Sequence, residues 1–207
     1  MSNRLSITLI NCPGERLPAK KNDRMKALQN SKAILRMSGL KLNEEIAGII
    51  LNSDHKQIFN ITVYEGNLRF ECRRCATFCC KLGGPNLTRK DIKRITQGGY
   101  KAREFVVPFK SESEGWPTFL GSLKGKEDGS CIFLESGLEE DIYECSIYDF
   151  RPALCKLYPF DFCKINSQFI VLKLIPCCRG LNNPEGEFVN EEFIVDSLLE
   201  AIFDLIS

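Results

Sequence analysis

Cys72-Arg-Arg-Cys75-Ala-Thr-Phe-Cys79-Cys80 opens a region, Cys72 to Cys178, that holds ten of the chain's eleven cysteines. Cys131, Cys145, Cys155, Cys163, Cys177 and Cys178 complete it, and Cys12 stands apart. A thiol can serve as a small buried hydrophobe, half of a disulfide, a nucleophile or a metal ligand. Packing does not account for this set. Cys72 and Cys75 flank two arginines and Cys79-Cys80 meets Lys81, so these thiols sit in polar sequence. Cys163, in Tyr158-Pro-Phe-Asp-Phe-Cys163, has the apolar neighbours of a core residue and is read equally well as filler or ligand.

A disulfide framework fits poorly. The stretch Met1 to Cys12 has too short an apolar run for a signal peptide. No segment approaches the roughly 18 apolar residues of a membrane span. The expected location is therefore cytoplasmic, where thiols stay reduced. Neighbours such as Cys79-Cys80 and Cys177-Cys178 also resist bonding to each other without backbone strain. Metal binding is the stronger reading. A CxxC turn brings two thiolates to one ion, because its two-residue spacer reverses the chain with both side chains on one side. The single histidine, His55, precedes the cluster, so nitrogen ligands are not expected. An all-thiolate set suits zinc or an iron–sulfur cluster and does not suit magnesium or calcium. Ten thiols exceed the need of one four-ligand site. Two sites are expected, or one site with additional redox or packing cysteines.

The rest of the chain frames this region. With 207 residues, 43% of them hydrophobic, the protein can bury a full core. Its formal charge of +1 is uneven, since residues 1–42 carry nine Lys/Arg against Glu15 and Asp23. A solvated basic helix accounts for this asymmetry more simply than nucleic-acid binding, because no aromatic residues are interleaved. Helices are predicted at Asp23–Met37, at Glu44–Leu51 after an Asn43 cap, from Thr88 to a stop at Gly98-Gly99, from Asp149 to Pro159, and at Glu191–Ile206. Strands are predicted at Ile58–Tyr64 and Leu68–Glu71, joined as a hairpin by Glu65-Gly-Asn67, and at Glu104–Phe109, Thr118–Leu123, Cys131–Leu134 and Gln168–Ile175. The fold class is α+β: small antiparallel sheets and hairpins around a cysteine-ligated metal site, flanked by N- and C-terminal helices. Three parts are expected, a basic helical extension over 1–57, a cysteine-cluster domain over 58–185, and a terminal helix over 186–207 that packs on the core.

The motifs occur in an order that resembles a known family. Phe70-x-Cys72-x-x-Cys75-x-x-x-Cys79-Cys80 is followed by Leu87-Thr88-x-x-Asp91-Ile92 and Gly129-x-Cys131-x-Phe133-Leu134. Then comes Cys145-x-Ile147-Tyr148-x-x-Arg151-Pro152-x-x-Cys155-x-x-Tyr158-Pro159-Phe160. From about Phe70 to Cys178 this is similar to the YkgJ-type CxxCxxCC cysteine-cluster family, described as zinc- or iron-chelating, some members being labelled iron–sulfur oxidoreductases. The resemblance implies ligands at Cys72, Cys75, Cys79, Cys80, Cys131, Cys145, Cys155 and Cys177. One departure stands out: three residues, rather than two, separate Cys75 from Cys79. Arg151, beside the ligands, is a candidate for tuning the cluster's charge or for an ion pair with Glu139-Glu140-Asp141. The function expected is a metal-binding protein, carrying an iron–sulfur cluster (4Fe-4S ahead of other types) in a redox role. The alternatives are a structural-zinc interaction module with an unidentified partner and, by resemblance to the flagellin lysine N-methylase, an enzyme that modifies protein side chains. Against the last, the chain has no Gly-rich nucleotide loop and no CxxxCxxC signature.

Overall fold

A computed structural model describes residues 44–52, 57–76, 78–81, 83–110, 117–137 and 142–206. The expected helix at Asp23–Met37, the basic residues 1–42, Cys12, His55 and the run Glu139-Glu140-Asp141 lie outside the described residues. Small antiparallel sheets and a few helices make up the rest, an α+β arrangement.

The largest sheet has the order β2-β1-β10-β9, formed by β1 (Glu45–Leu51), β2 (Ile58–Val63), β9 (Phe160–Lys164) and β10 (Phe169–Leu174). The helix expected over Glu44–Leu51 is thus a strand. Its near-continuous apolar run suits a strand flanked on both sides, as β1 is by β2 and β10, because Ile46, Ala47, Ile49 and Leu51 are all buried. Gly48 at its centre faces Tyr64 and Phe169, and a Cβ there would lie 2.4 Å from the Tyr64 hydroxyl. The expected hairpin also resolves differently. β2 pairs with β1, while β3 (Arg69–Phe70) pairs with β11 (Glu187–Phe188). Glu65-Gly-Asn67 therefore carries the chain from one sheet to another.

Asn86–Leu87 (β4), Val106–Pro108 (β5) and Gly121–Leu123 (β6) form a second sheet, ordered β4-β6-β5. Residues 102–105 are helical rather than extended, so the strand predicted from Glu104 begins at Val106. Between β4 and that turn, α1 (Arg89–Gln97) is capped by Thr88 and ends at Gly98, as its sequence predicts. β7 (Leu134–Ser136) and β8 (Tyr143–Cys145) form a two-stranded ladder. Cys131, predicted to start that strand, makes an isolated bridge with Gly125 instead. A 3-10 turn at Tyr148–Phe150 leads to the short helix α2 (Ala153–Leu157), with Pro152 at its N-cap rather than inside its first turn. The terminal helix α3 runs through Glu191–Phe193, a π-helical turn at Ile194–Leu198, and Leu199–Ile206.

Two apolar cores result. The larger joins the four-stranded sheet to α2 and α3, and includes Ile49, Leu157, Phe162, Leu172, Ile194 and Ile202. The smaller lies under α1 and holds Leu87, Ile95, Phe105, Phe133 and Ile147, together with Cys131. No helix among the described residues is long and apolar enough to cross a membrane.

Candidate metal centre

The opening cysteines leave β3 on an irregular segment. Arg74 and Ala76, on either side of Cys75, both have left-handed backbones with φ of 49° and 50°. Such angles cost energy for residues with a Cβ and persist only where the surroundings impose them. Here the restraints are backbone hydrogen bonds: the Tyr143 N–H donates to the Arg74 carbonyl at 3.1 Å and the Lys81 N–H to that of Ala76 at 3.0 Å.

Four segments then converge. Cys79 and Cys80 lie in the turn after this segment. The Cys131 N–H donates to the Cys80 carbonyl at 2.7 Å, fixing the second segment on the first. Cys145, at the end of β8, stands opposite Leu134 in the β7–β8 ladder. Cys155 lies on α2, and α2 is positioned by Asp91 of α1. One oxygen of this fully buried carboxylate accepts from the Thr88 N–H and hydroxyl (2.9 and 2.8 Å); the other accepts from the Ala153 N–H at 2.9 Å. Asp91 therefore caps its own helix and holds the start of the helix that carries Cys155. The sequence showed the first role and gave no local signal of the second.

The Cys80 Sγ donates to the Cys79 Sγ across 3.7 Å. That contact holds the Cys79 thiol below its ordinary range and, with burial, raises that of Cys80. Burial pushes Cys131 up to about 11, with Cys145 and Cys79 acting in the same direction. Burial likewise raises Cys145 and, more strongly, Cys155, which also feels Cys131 and Cys79. Cys79, Cys80, Cys131, Cys145 and Cys155 thus form an inner group with Cys79 at its centre. Cys72, Cys75 and Cys178 lie on the other side of Cys79. Burial raises Cys178 to about 12, and the three opening thiols Cys75, Cys79 and Cys72 add to that shift. Tyr158, its hydroxyl donating to the Cys177 carbonyl at 3.1 Å, is buried beside the cluster.

Cys177 is buried and disulfide-bonded, whereas the other described cysteines are thiols. A disulfide sulfur offers no thiolate, so Cys178 rather than Cys177 stands with the other thiols. Cys163 sits on β9 opposite Val171. Arg151 acts electrostatically on Cys79 and Cys145. Its guanidinium lies 3.9 Å from the Tyr148 ring centre, and that of Arg74 lies 5.4 Å from the same ring. Lys81 stands 3.9 Å from the Tyr143 ring centre. Cations held on aromatic faces therefore border the thiols.

These donors suit a soft metal. An ion held at about 2.3 Å by four sulfurs sets neighbouring sulfurs about 3.8 Å apart, close to the separation of Cys79 and Cys80. As they stand, no three Cys, His, Asp or Glu side chains among the described residues already form such a cage. The backbone brings the thiols to one place, and closing on an ion is left to side-chain rotation.

A family profile described as "Putative zinc- or iron-chelating domain" (CxxCxxCC) matches residues 71–184. The chain belongs to this family. The match spans the opening motif, both sides of the thiol cluster, Asp91 and Arg151. The chain is also 30% identical over 134 residues to the uncharacterized protein MJ0661 of Methanocaldococcus jannaschii, covering 63% of this chain and 68% of that protein. No solved structure matches.

Proposed function

We propose that this CxxCxxCC protein holds a metal ion through thiolates of the inner group, four drawn from Cys79, Cys80, Cys131, Cys145 and Cys155. The observation that carries this reading is the convergence of four chain segments on Cys79, with the Cys79–Cys80 sulfurs 3.7 Å apart. That spacing is the edge of a tetrahedron around one ion. It favours zinc, or a single iron, over a cubane cluster, in which each cysteine binds a different iron. The bound ion would crosslink the Cys79–Cys80 turn, the Cys131 loop, β8 and α2, a structural role that leaves a surface bordered by Arg74, Lys81 and Arg151 for a partner.

Elemental analysis for zinc, iron and sulfide, with an absorption spectrum, on protein purified without oxygen tests this. Colourless protein with zinc supports it. Iron with equimolar sulfide and a broad visible band would replace it with an iron–sulfur redox protein, and protein without metal would refute metal binding. Cys155→Ser is expected to lower the metal content of the inner site by at least tenfold after dialysis against a weak chelator.

A further inference from the structure

The family name treats the opening cysteines as one motif, but the fold divides them. Cys79 and Cys80 face the inner group. Cys72 and Cys75 face the other way, toward Cys178 in a segment more than a hundred residues later. The backbone makes this neighbourhood. The Glu71 N–H, adjoining Cys72, donates to the Gly180 carbonyl at 3.0 Å, and the Gly180 N–H donates to the Cys178 Sγ at 3.4 Å. Phe70 and Leu181 bridge just beyond. The approach is close enough that a Cβ on Gly180 would lie 2.0 Å from the Glu71 carbonyl oxygen. Cys75 is turned by the left-handed residues on either side of it. Side chains beside this group add to it: the Arg73 guanidinium donates to Asn183 at 2.7 Å, which in turn contacts Glu71.

We propose that Cys72, Cys75 and Cys178 form a second soft-metal site, completed by Cys79 as a thiolate shared with the inner site, so that the protein carries two ions rather than one. Cys79 is the thiol placed to do this, between Cys80 on one side and Cys178 on the other. The three-residue spacer between Cys75 and Cys79 acquires a purpose: it lets the first pair turn away from the second. Two divalent ions bind as the participating thiols release their protons, and the cations of Arg74, Lys81 and Arg151 offset the surplus thiolate charge.

This inference rests on the thiolate reading of the inner group, and one experiment separates their failures. Full-length protein, reduced and freed of metal, is titrated anaerobically with Co2+ while the visible and sulfur-to-metal bands are recorded. Two equivalents are expected. Cys178→Ser and Cys72→Ser should each bind one equivalent, and Cys79→Ser should weaken both sites at least tenfold. A single equivalent for the unaltered chain overturns the second site and leaves the first, whereas none overturns both. Two equivalents retained by Cys178→Ser, or one site untouched in Cys79→Ser, would also overturn the proposal. The count on the unaltered chain decides the matter even if a variant fails to fold.

Discussion

Asp91 serves the site without touching metal. Replacing it with alanine would leave the Thr88 and Ala153 N–H groups without their buried acceptor. Losing a cap and a buried carboxylate together costs about 3 kcal/mol. Asp91→Ala should therefore lower the urea-unfolding free energy by about that much, and Lys93→Ala, exposed on the same helix, by less than about 0.5 kcal/mol. Asp161 gives a pH test. Burial pushes its carboxyl up to about 6, against the pull of Lys173. An unfolded chain releases this proton near about 3.9, so the folded state binds it more tightly. The stability gained from protonation is complete below the unfolded value and is lost as pH rises through 6. Asp161→Asn, uncharged throughout and still able to accept from the Phe162 N–H, should gain on the unaltered protein by about 1–2 kcal/mol between pH 4 and pH 7. Urea midpoints across that range check it; a constant difference would show that the group titrates normally.

Among elements, local signals read true where the structure is local. Thr88 and Asp91 announced α1, Gly98 its end, and the spaced apolar residues of Glu191–Ile206 a helix that does bury Ile194, Leu198 and Ile202. Glu44–Leu51 misled because a strand buried between two others has the same apolar run as a buried helix, and its partner β10 lies far along the chain. The 58–71 hairpin misled because the turn residues were right and the pairing was not. For the site, the density of cysteines was legible, but the separation of Cys72 and Cys75 from Cys80 depends on Glu71 meeting Gly180, which no local pattern reveals. Gly180→Ala probes that contact. Pushing the Cys178 turn off Glu71 should remove one Co2+ equivalent while the inner site still fills.

The whole molecule is a metal-free half joined to a thiol-bearing half. The larger core draws on the four-stranded sheet, α2 and α3, while the smaller one supports the inner thiols. Arg94 and Lys90 of α1 reach Asp204 of α3 and connect them. Chelation should therefore loosen one half more than the other. In hydrogen exchange, amides of Cys79–Lys81, Cys131–Leu134 and β8 should lose protection by at least tenfold in chelator, and those of β1 and β10 should change little. Equal loss throughout would mean that the ion holds up both cores. The pairing of Ile50 with Phe169 has a further consequence, for the order of events at birth. On a chain emerging from the ribosome, every cysteine from Cys72 to Cys155 is outside before β10 arrives to close the sheet. An ion captured in that interval contracts the long loop between β1 and β10, and a shorter loop closes at less entropic cost. Metal supply would then set the pace at which this protein folds.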